Sequence, residues 1–160
     1  MRYLIFLFFI AGCSSDSNDT YHPRQIVFTG DAVVMMDKIN QNRAASGLNQ
    51  LIPEERLTDI AIEYSKYMND TGVISHDGFY DRQARSMCYS FGECLSYNYD
   101  VYSSFDAYLM SKSHNQTLVN PRYTHIGYGR TGRYECVLLG GYDVYKRTED
   151  IDTLTVKFKI

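Results

Sequence analysis

Between positions 57 and 68, apolar side chains recur at three- and four-residue steps through Leu57, Ile60, Ala61, Tyr64 and Met68. That spacing predicts an amphipathic helix with one buried face. Pro53 reads as its opening and Gly72 as its end, because glycine accepts the left-handed turn past a helix C-terminus. An earlier helix is expected from Asp31, a capping residue after Gly30, to the stop at Gly47. Val101, Phe105, Tyr108 and Leu109 predict another, capped by Ser103 or Ser104 and ending close to His114. A short helical stretch is expected around Tyr80 to Ser86. Residues 88–100, "CYSFGECLSYNYD", carry no helical period and read as an ordered loop.

Beyond Asn120-Pro121, a turn signal, the period changes. "THIGYG" and "YECVLLGGY" flank the glycine-containing "RTGR" and read as a hairpin. The tail "TLTVKFKI" alternates apolar and polar positions, as in a one-faced edge strand whose lysines discourage pairing with another molecule. Helices come first and strands later, which predicts an α+β layered domain.

The N-terminus has a different logic. "MRYLIFLFFIAGC" places one arginine before an apolar run from Tyr3 to Ile10 that is too short to span a bilayer. It has the layout of an export signal, and "IAGC" resembles a bacterial lipobox, with cleavage before a lipid-modified Cys13. The expected organisation is a signal over residues 1–12, a polar tether over 13–29, a domain over 30–145 and an extension with an edge strand over 146–160. The protein is then extracytoplasmic, held by lipid to the cell envelope at the periplasm or cell surface. A formal net charge of -3 gives no basic footprint and excludes nucleic acid as the partner. Export permits disulfides, so Cys88, Cys94 and Cys136 are candidates, with connectivity open and one thiol left over.

The chemistry concentrates in two Ser-His pairs, Ser75-His76 in "VISHDGFY" and Ser113-His114 in "SKSHNQTLVNP". Two neutral imidazoles can bind a divalent cation such as zinc with positions left open. Their separation in sequence lends no support to that reading, and no HExxH or GxSxG pattern occurs. Tyr97, Tyr99 and Tyr102 can line a groove or pack between helices. His125 reads as a strand-end histidine, and His22 as part of the solvated tether.

Several fragments in fixed order resemble one family. "INQNRAASGLNQLIPEERLTDIAIEYSKYM", "ISHDGF", Gly92-Glu93 and "YLMSKSHNQTLVNPRYTHIGYG" are similar to the CAP superfamily, in its bacterial SCP-like branch, over about residues 31–142. The superfamily comprises the cysteine-rich secretory, antigen five and pathogenesis-related one proteins. The resemblance implies an α-β-α sandwich with a small antiparallel sheet between helices. It also implies a cleft gathering His76, Glu93 and His114, with Tyr97 and Tyr108 expected beside them. The segment before His114 lacks the second glutamate of many eukaryotic members. Tyr108 stands where the bacterial branch has tryptophan, and Cys94 where the family prefers asparagine.

Three functions follow as expectations. The first is a tethered module that binds a small apolar ligand (a lipid, for instance), a glycan or other envelope component, or a protein. The second is a metal-dependent hydrolase with His76 and His114 as ligands and Glu93 as base. The third is a structural envelope protein.

Overall fold

A computed structural model describes residues 21–142. Its elements run α1 (Asp31–Ala45), β1 (Ile52–Pro53), α2 (Glu55–Thr71), α3 (Phe79–Ser86), β2 (Ser90–Tyr97), α4 (Val101–Met110), α5 (Lys112–Leu118), β3 (His125–Thr131) and β4 (Tyr134–Gly141). The sheet order is β1-β3-β4-β2; β1 pairs with β3 in parallel and the longer strands pair antiparallel. Met35, Ile39, Phe105, Tyr108 and Leu118 form a core on one face with Val137 and Leu139. Leu57, Ile60, Ala61 and Met68 form the other with Leu95 and Leu138. The sheet is therefore sandwiched between α1, α4 and α5 on one side and α2 and α3 on the other. The expected α+β sandwich is present, with a mixed rather than purely antiparallel sheet.

Local departures have local causes. Pro53 does not open α2; it ends β1, and the Glu54 side chain caps the helix by accepting from the Leu57 amide at 2.7 Å. α4 is capped by Asp100 rather than by serine, through the Ser103 amide at 2.8 Å. The stretch expected as a loop over 88–100 contains β2. Six consecutive positions of that strand, Phe91 to Ser96, are buried. A strand covered on both faces loses the polar alternation that betrays a half-exposed one. His114 lies inside α5, not at a helix exit, because the chain breaks at Ser111 and restarts.

Residues 21–29, expected within the tether, pack as a strap along β1. Ile26 donates its amide to the Pro53 carbonyl at 3.4 Å, Glu55 donates to Arg24 at 2.9 Å, and Phe28 is buried. The Tyr21 hydroxyl donates to the Glu54 carboxylate, and the Arg56 guanidinium lies 3.9 Å over the Tyr21 ring. Tyr142, at the other end of the described chain, donates to the same carboxylate at 3.1 Å. His22 is exposed. The signal, Cys13 and the 146–160 extension lie outside the described residues.

The disulfide expectation is corrected. Cys88, Cys94 and Cys136 are all free. Cys94 is opposite Val137 and Cys136 opposite Leu95, so these two thiols point to opposite faces of the sheet. Cys88 packs against Gly140 on the face opposite Cys94. It shares a face with Cys136 but lies beside a residue four positions further along β4, about 13 Å away.

α2 lies directly on β3 because two glycines there leave no side chain in the way. A Cβ on Gly127 would sit 2.2 Å from the Leu57 carbonyl carbon, and one on Gly129 2.2 Å from that of Ala61. Backbone cannot retreat as a side chain can. Gly129→Ala is expected to destabilise the fold by about 3 kcal/mol. Urea unfolding should show a lower midpoint with an unchanged slope.

Candidate functional site

β2 is an edge strand of the described sheet, and the site is built on it. Glu93 points toward the α2–α3 face with its side chain fully buried. A buried carboxylate needs a charged partner and donors for its lone pairs. Arg82, one turn into α3 and 4% exposed, supplies both: Nε donates to Oε2 at 2.6 Å and Nη2 to Oε1 at 2.8 Å. Burial works against the charged Arg82, but Glu93 outweighs it and the guanidinium pKa is raised. The third contact is His76, whose Nδ1 lies 2.8 Å from Oε1. Its side chain is 57% exposed, so the ring closes the cluster toward solvent and leaves Nε2 unengaged by Glu93.

The α2–α3 loop that carries His76 is tied from beneath. Tyr64 donates its hydroxyl to the Ser75 carbonyl, and Arg82 Nη1 donates to the Asp77 carbonyl at 2.8 Å. The Arg82 guanidinium also stacks 3.4 Å over the Tyr64 ring, a cation–π contact. Gly78, at φ 75°, turns the loop into α3. One arginine thus holds the acid, the loop and the aromatic floor together.

His114 approaches from the other face of the sheet. Its ring stands edge-on to Tyr108, centroids 5.2 Å apart, and its carbonyl accepts from the Cys94 thiol at 3.9 Å. Burial lowers the His114 pKa, and the neighbouring His76 lowers it further. The charge of one imidazole thus acts on the other, with only His76 held by a carboxylate. α5 is held at its end by Arg43. That buried guanidinium donates to the carbonyls of Leu118, Asn120 and Tyr123 at 2.9–3.0 Å. Gly92 permits the approach, since a Cβ there would meet the Tyr123 hydroxyl at 2.6 Å.

Of the residues expected in the cleft, His76 and Glu93 are in direct contact, and His114 lies near enough to His76 to feel its charge without joining the two in one cluster. Tyr108 does not line it: at 1% exposure it forms the support under His114, with its hydroxyl 3.3 Å from both the Cys94 carbonyl and the buried Glu135 carboxylate. Tyr97 sits four residues beyond Glu93, about 13 Å along the strand, against Tyr134 and Arg133. Burial, then the Glu93 charge, push the Cys94 thiol up to about 12, which removes it as a nucleophile. Sequence reading missed Arg82. The available signal was Glu93 itself, since a glutamate in a buried strand demands a cation.

Zinc fits this donor set poorly. His76 and His114 offer two nitrogens, and among the described residues no group of three His, Cys, Asp or Glu side chains converges. Two grooves among the described residues, of 560 and 440 Å³, lie elsewhere, the first beside the strap and the end of β3, the second between α1 and β1. Neither is lined by His76, Glu93 or His114.

A sequence model of the CAP family, described as the cysteine-rich secretory protein family, matches residues 36–136. A curated relative, the uncharacterized membrane protein YlbC of Bacillus subtilis, is 27% identical over 114 residues, which is 62% of this chain and 31% of that protein. An extracellular protein containing a SCP domain from Bacillus anthracis superposes with a TM-score of 0.65 at 25% identity, over 68% of this chain and 39% of that one. An outer surface protein of Borrelia burgdorferi gives 0.65 at 22% identity, over 76% of this chain and all of that one. The chain thus spans about a third of the length of YlbC and two-fifths of the anthracis protein.

Two outcomes are expected from this geometry. Arg82→Met should cost about 3–5 kcal/mol by stranding a buried charge, and Glu93→Leu added to it should recover much of that loss. Chemical denaturation of the two singles and the double measures it. In an NMR titration His114 should titrate below the usual histidine value, and His76→Ala should move it part of the way back. A lowered folded pKa means the unfolded state takes up the proton first. His114's contribution to stability is therefore complete above about pH 6.5 and is lost as pH falls through its folded pKa.

Proposed function

The chain belongs to the cysteine-rich secretory protein family, CAP, and from that membership we propose an extracytoplasmic binding module, lipid-tethered through Cys13, that recognises an envelope component or protein partner at the His76–His114 surface. The observation that carries this reading is the burial and pairing of Glu93. Both its oxygens accept from Arg82, one also meets His76, and the side chain has no solvent access, so no lone pair faces a bound water to take its proton. A cluster so satisfied is rigid and presents fixed polar groups, which suits recognition. The exposed His76 ring, with the neutral His114 beside it, offers donors and acceptors to a ligand at the surface. A small apolar ligand is less well served there, because the exposed group is a polar imidazole held by a carboxylate. The extracellular and outer-surface descriptions of the structural relatives support the location, as does the lipobox-like "IAGC".

A metal-dependent hydrolase is the second reading, favoured by one observation: the imidazoles are close enough for His76 to depress His114. The two readings separate on heating. Zinc bound at a hundredfold excess over its Kd would stabilise the fold by about 2.7 kcal/mol, which for a domain of this size raises Tm by roughly 10 °C. We expect a shift below about 1 °C. On the binding side, His114→Ala in a Cys13→Ser background, which lacks the lipid anchor, should unfold like its Cys13→Ser parent yet lose retention on isolated cell envelopes. Equal retention of parent and variant would remove the site from the proposal.

A further inference from the structure

Tyr97, the last residue of β2, and Tyr99, just beyond it, meet Arg133 from the β3–β4 turn. Strand register brings them together. Tyr97 is paired with Tyr134, and the Asn98 amide donates to the Arg133 carbonyl at 3.0 Å. The guanidinium carbon lies 4.1 Å over the Tyr97 ring and 3.7 Å over that of Tyr99. Tyr134 packs against Tyr97 from the α2 side, with ring centroids 4.7 Å apart. The chain holds more acids than bases, 19 to 16, yet no described residue hydrogen-bonds or ion-pairs with the Arg133 side chain. Asp100, the acid next to Tyr99, is committed to capping α4, 2.8 Å from the Ser103 amide and 3.0 Å from its hydroxyl. Arg130, across the turn, is by contrast fully used by Glu135 and by the carbonyls of Asn98 and Gly132.

Ring contacts hold a cation without consuming its N–H donors, which lie in the guanidinium plane. Arg133 Nε is enclosed and has no hydrogen-bond partner, so the Nη1–Nη2 end is the part a ligand can reach. That pair of N–H groups matches two oxygens of a carboxylate or phosphate. Two rings already fix the side chain, so an anion binding there need not order it. Beside the fork, Tyr99 is 80% exposed and offers an open ring face. The negative face of an aromatic ring attracts the C–H-bearing face of a pyranose. Neither the 560 Å³ groove nor the 440 Å³ groove includes Arg133, Tyr97 or Tyr99, so those grooves give a peptide no slot for an apolar anchor beside the fork. A sugar needs only the flat ring and the directed donors.

We propose that Arg133, Tyr97 and Tyr99 form a second binding site, for an acidic saccharide whose carboxylate or phosphate takes the Arg133 Nη pair while a sugar ring stacks on Tyr99. The site does not depend on what the His76–His114 surface recognises. Tyr97 stands four residues, about 13 Å, beyond Glu93 along β2, and no residue is shared.

Titration calorimetry on the full chain, purified in a polyoxyethylene detergent, tests the site. Trigalacturonate and glucose 6-phosphate are the charged probes, each compared with a neutral counterpart, methyl-esterified trigalacturonate or glucose. A charged probe should bind about tenfold more tightly than its counterpart, and which of the two binds identifies the anion. Arg133→Lys keeps the charge but loses the planar fork, and should weaken that binding about tenfold. Tyr99→Ala, at an exposed position, should weaken it about fivefold with an unchanged urea midpoint. Arg122→Ala removes an exposed arginine elsewhere and should leave the affinity as it was. Failure of both charged sugars to bind, or equal binding of the neutral ones, overturns the proposal. Equal weakening by Arg122→Ala also overturns it, by reducing the effect to net charge. Tetraglutamate binding as tightly as the sugars would overturn the saccharide assignment in favour of an acidic peptide.

Discussion

A glutamate with no solvent access at the edge of a sheet dictates the geometry around it. An uncompensated carboxylate at Glu93 would remove about 3–5 kcal/mol from a domain whose net stability is on the order of 10 kcal/mol. Arg82 answers it with two parallel hydrogen bonds, and a rigid planar guanidinium can do so in one orientation only. That orientation fixes where α3 begins, since Arg82 also holds the Asp77 carbonyl. The loop between α2 and α3 follows, and His76 with it. The imidazole at the surface is therefore placed by a charge that solvent never sees.

The opposite face repeats the arrangement with different chemistry. Glu135 is buried among Tyr108, Tyr128, Ser96 and Arg130. Burial raises its pKa, while hydrogen bonds from Tyr128 and the charge of Arg130 pull the other way. Tyr108 carries this network to His114, touching Glu135 with its hydroxyl and the imidazole with its ring. The two histidines thus report two different interiors. One is bound to a carboxylate and exposed; the other lies on an aromatic edge and is kept neutral by partial burial. Their proximity is a property of the sheet edge, where the two faces meet.

Much of the fold was legible from local pattern. The α2 stripe, the Gly72 stop and the β3–β4 hairpin arise from short-range periodicity and turn chemistry, which act before any tertiary contact exists. β2 was not legible, because its burial on both faces erased alternation. The caps at Glu54 and Asp100 were missed for a related reason: several nearby polar residues can cap a helix, and the frame of the helix selects one. In the site, His76, Glu93 and His114 were named from an ordered series of fragments. Tyr108 was named for the wrong role, as a lining residue where it is a support.

The sequence by itself determined the first four helices and the hairpin, because each is written in neighbours a few residues apart, and its resemblance to the CAP family supplied the layering and the three polar side chains. Tertiary structure alone decided that Arg82 takes the Glu93 charge, that Cys94 and Cys136 face away from each other, and that the strap is clasped onto Glu54. Those outcomes depend on strand register and on which face each residue meets. A one-residue slip in pairing would reverse them all without changing a letter of the sequence.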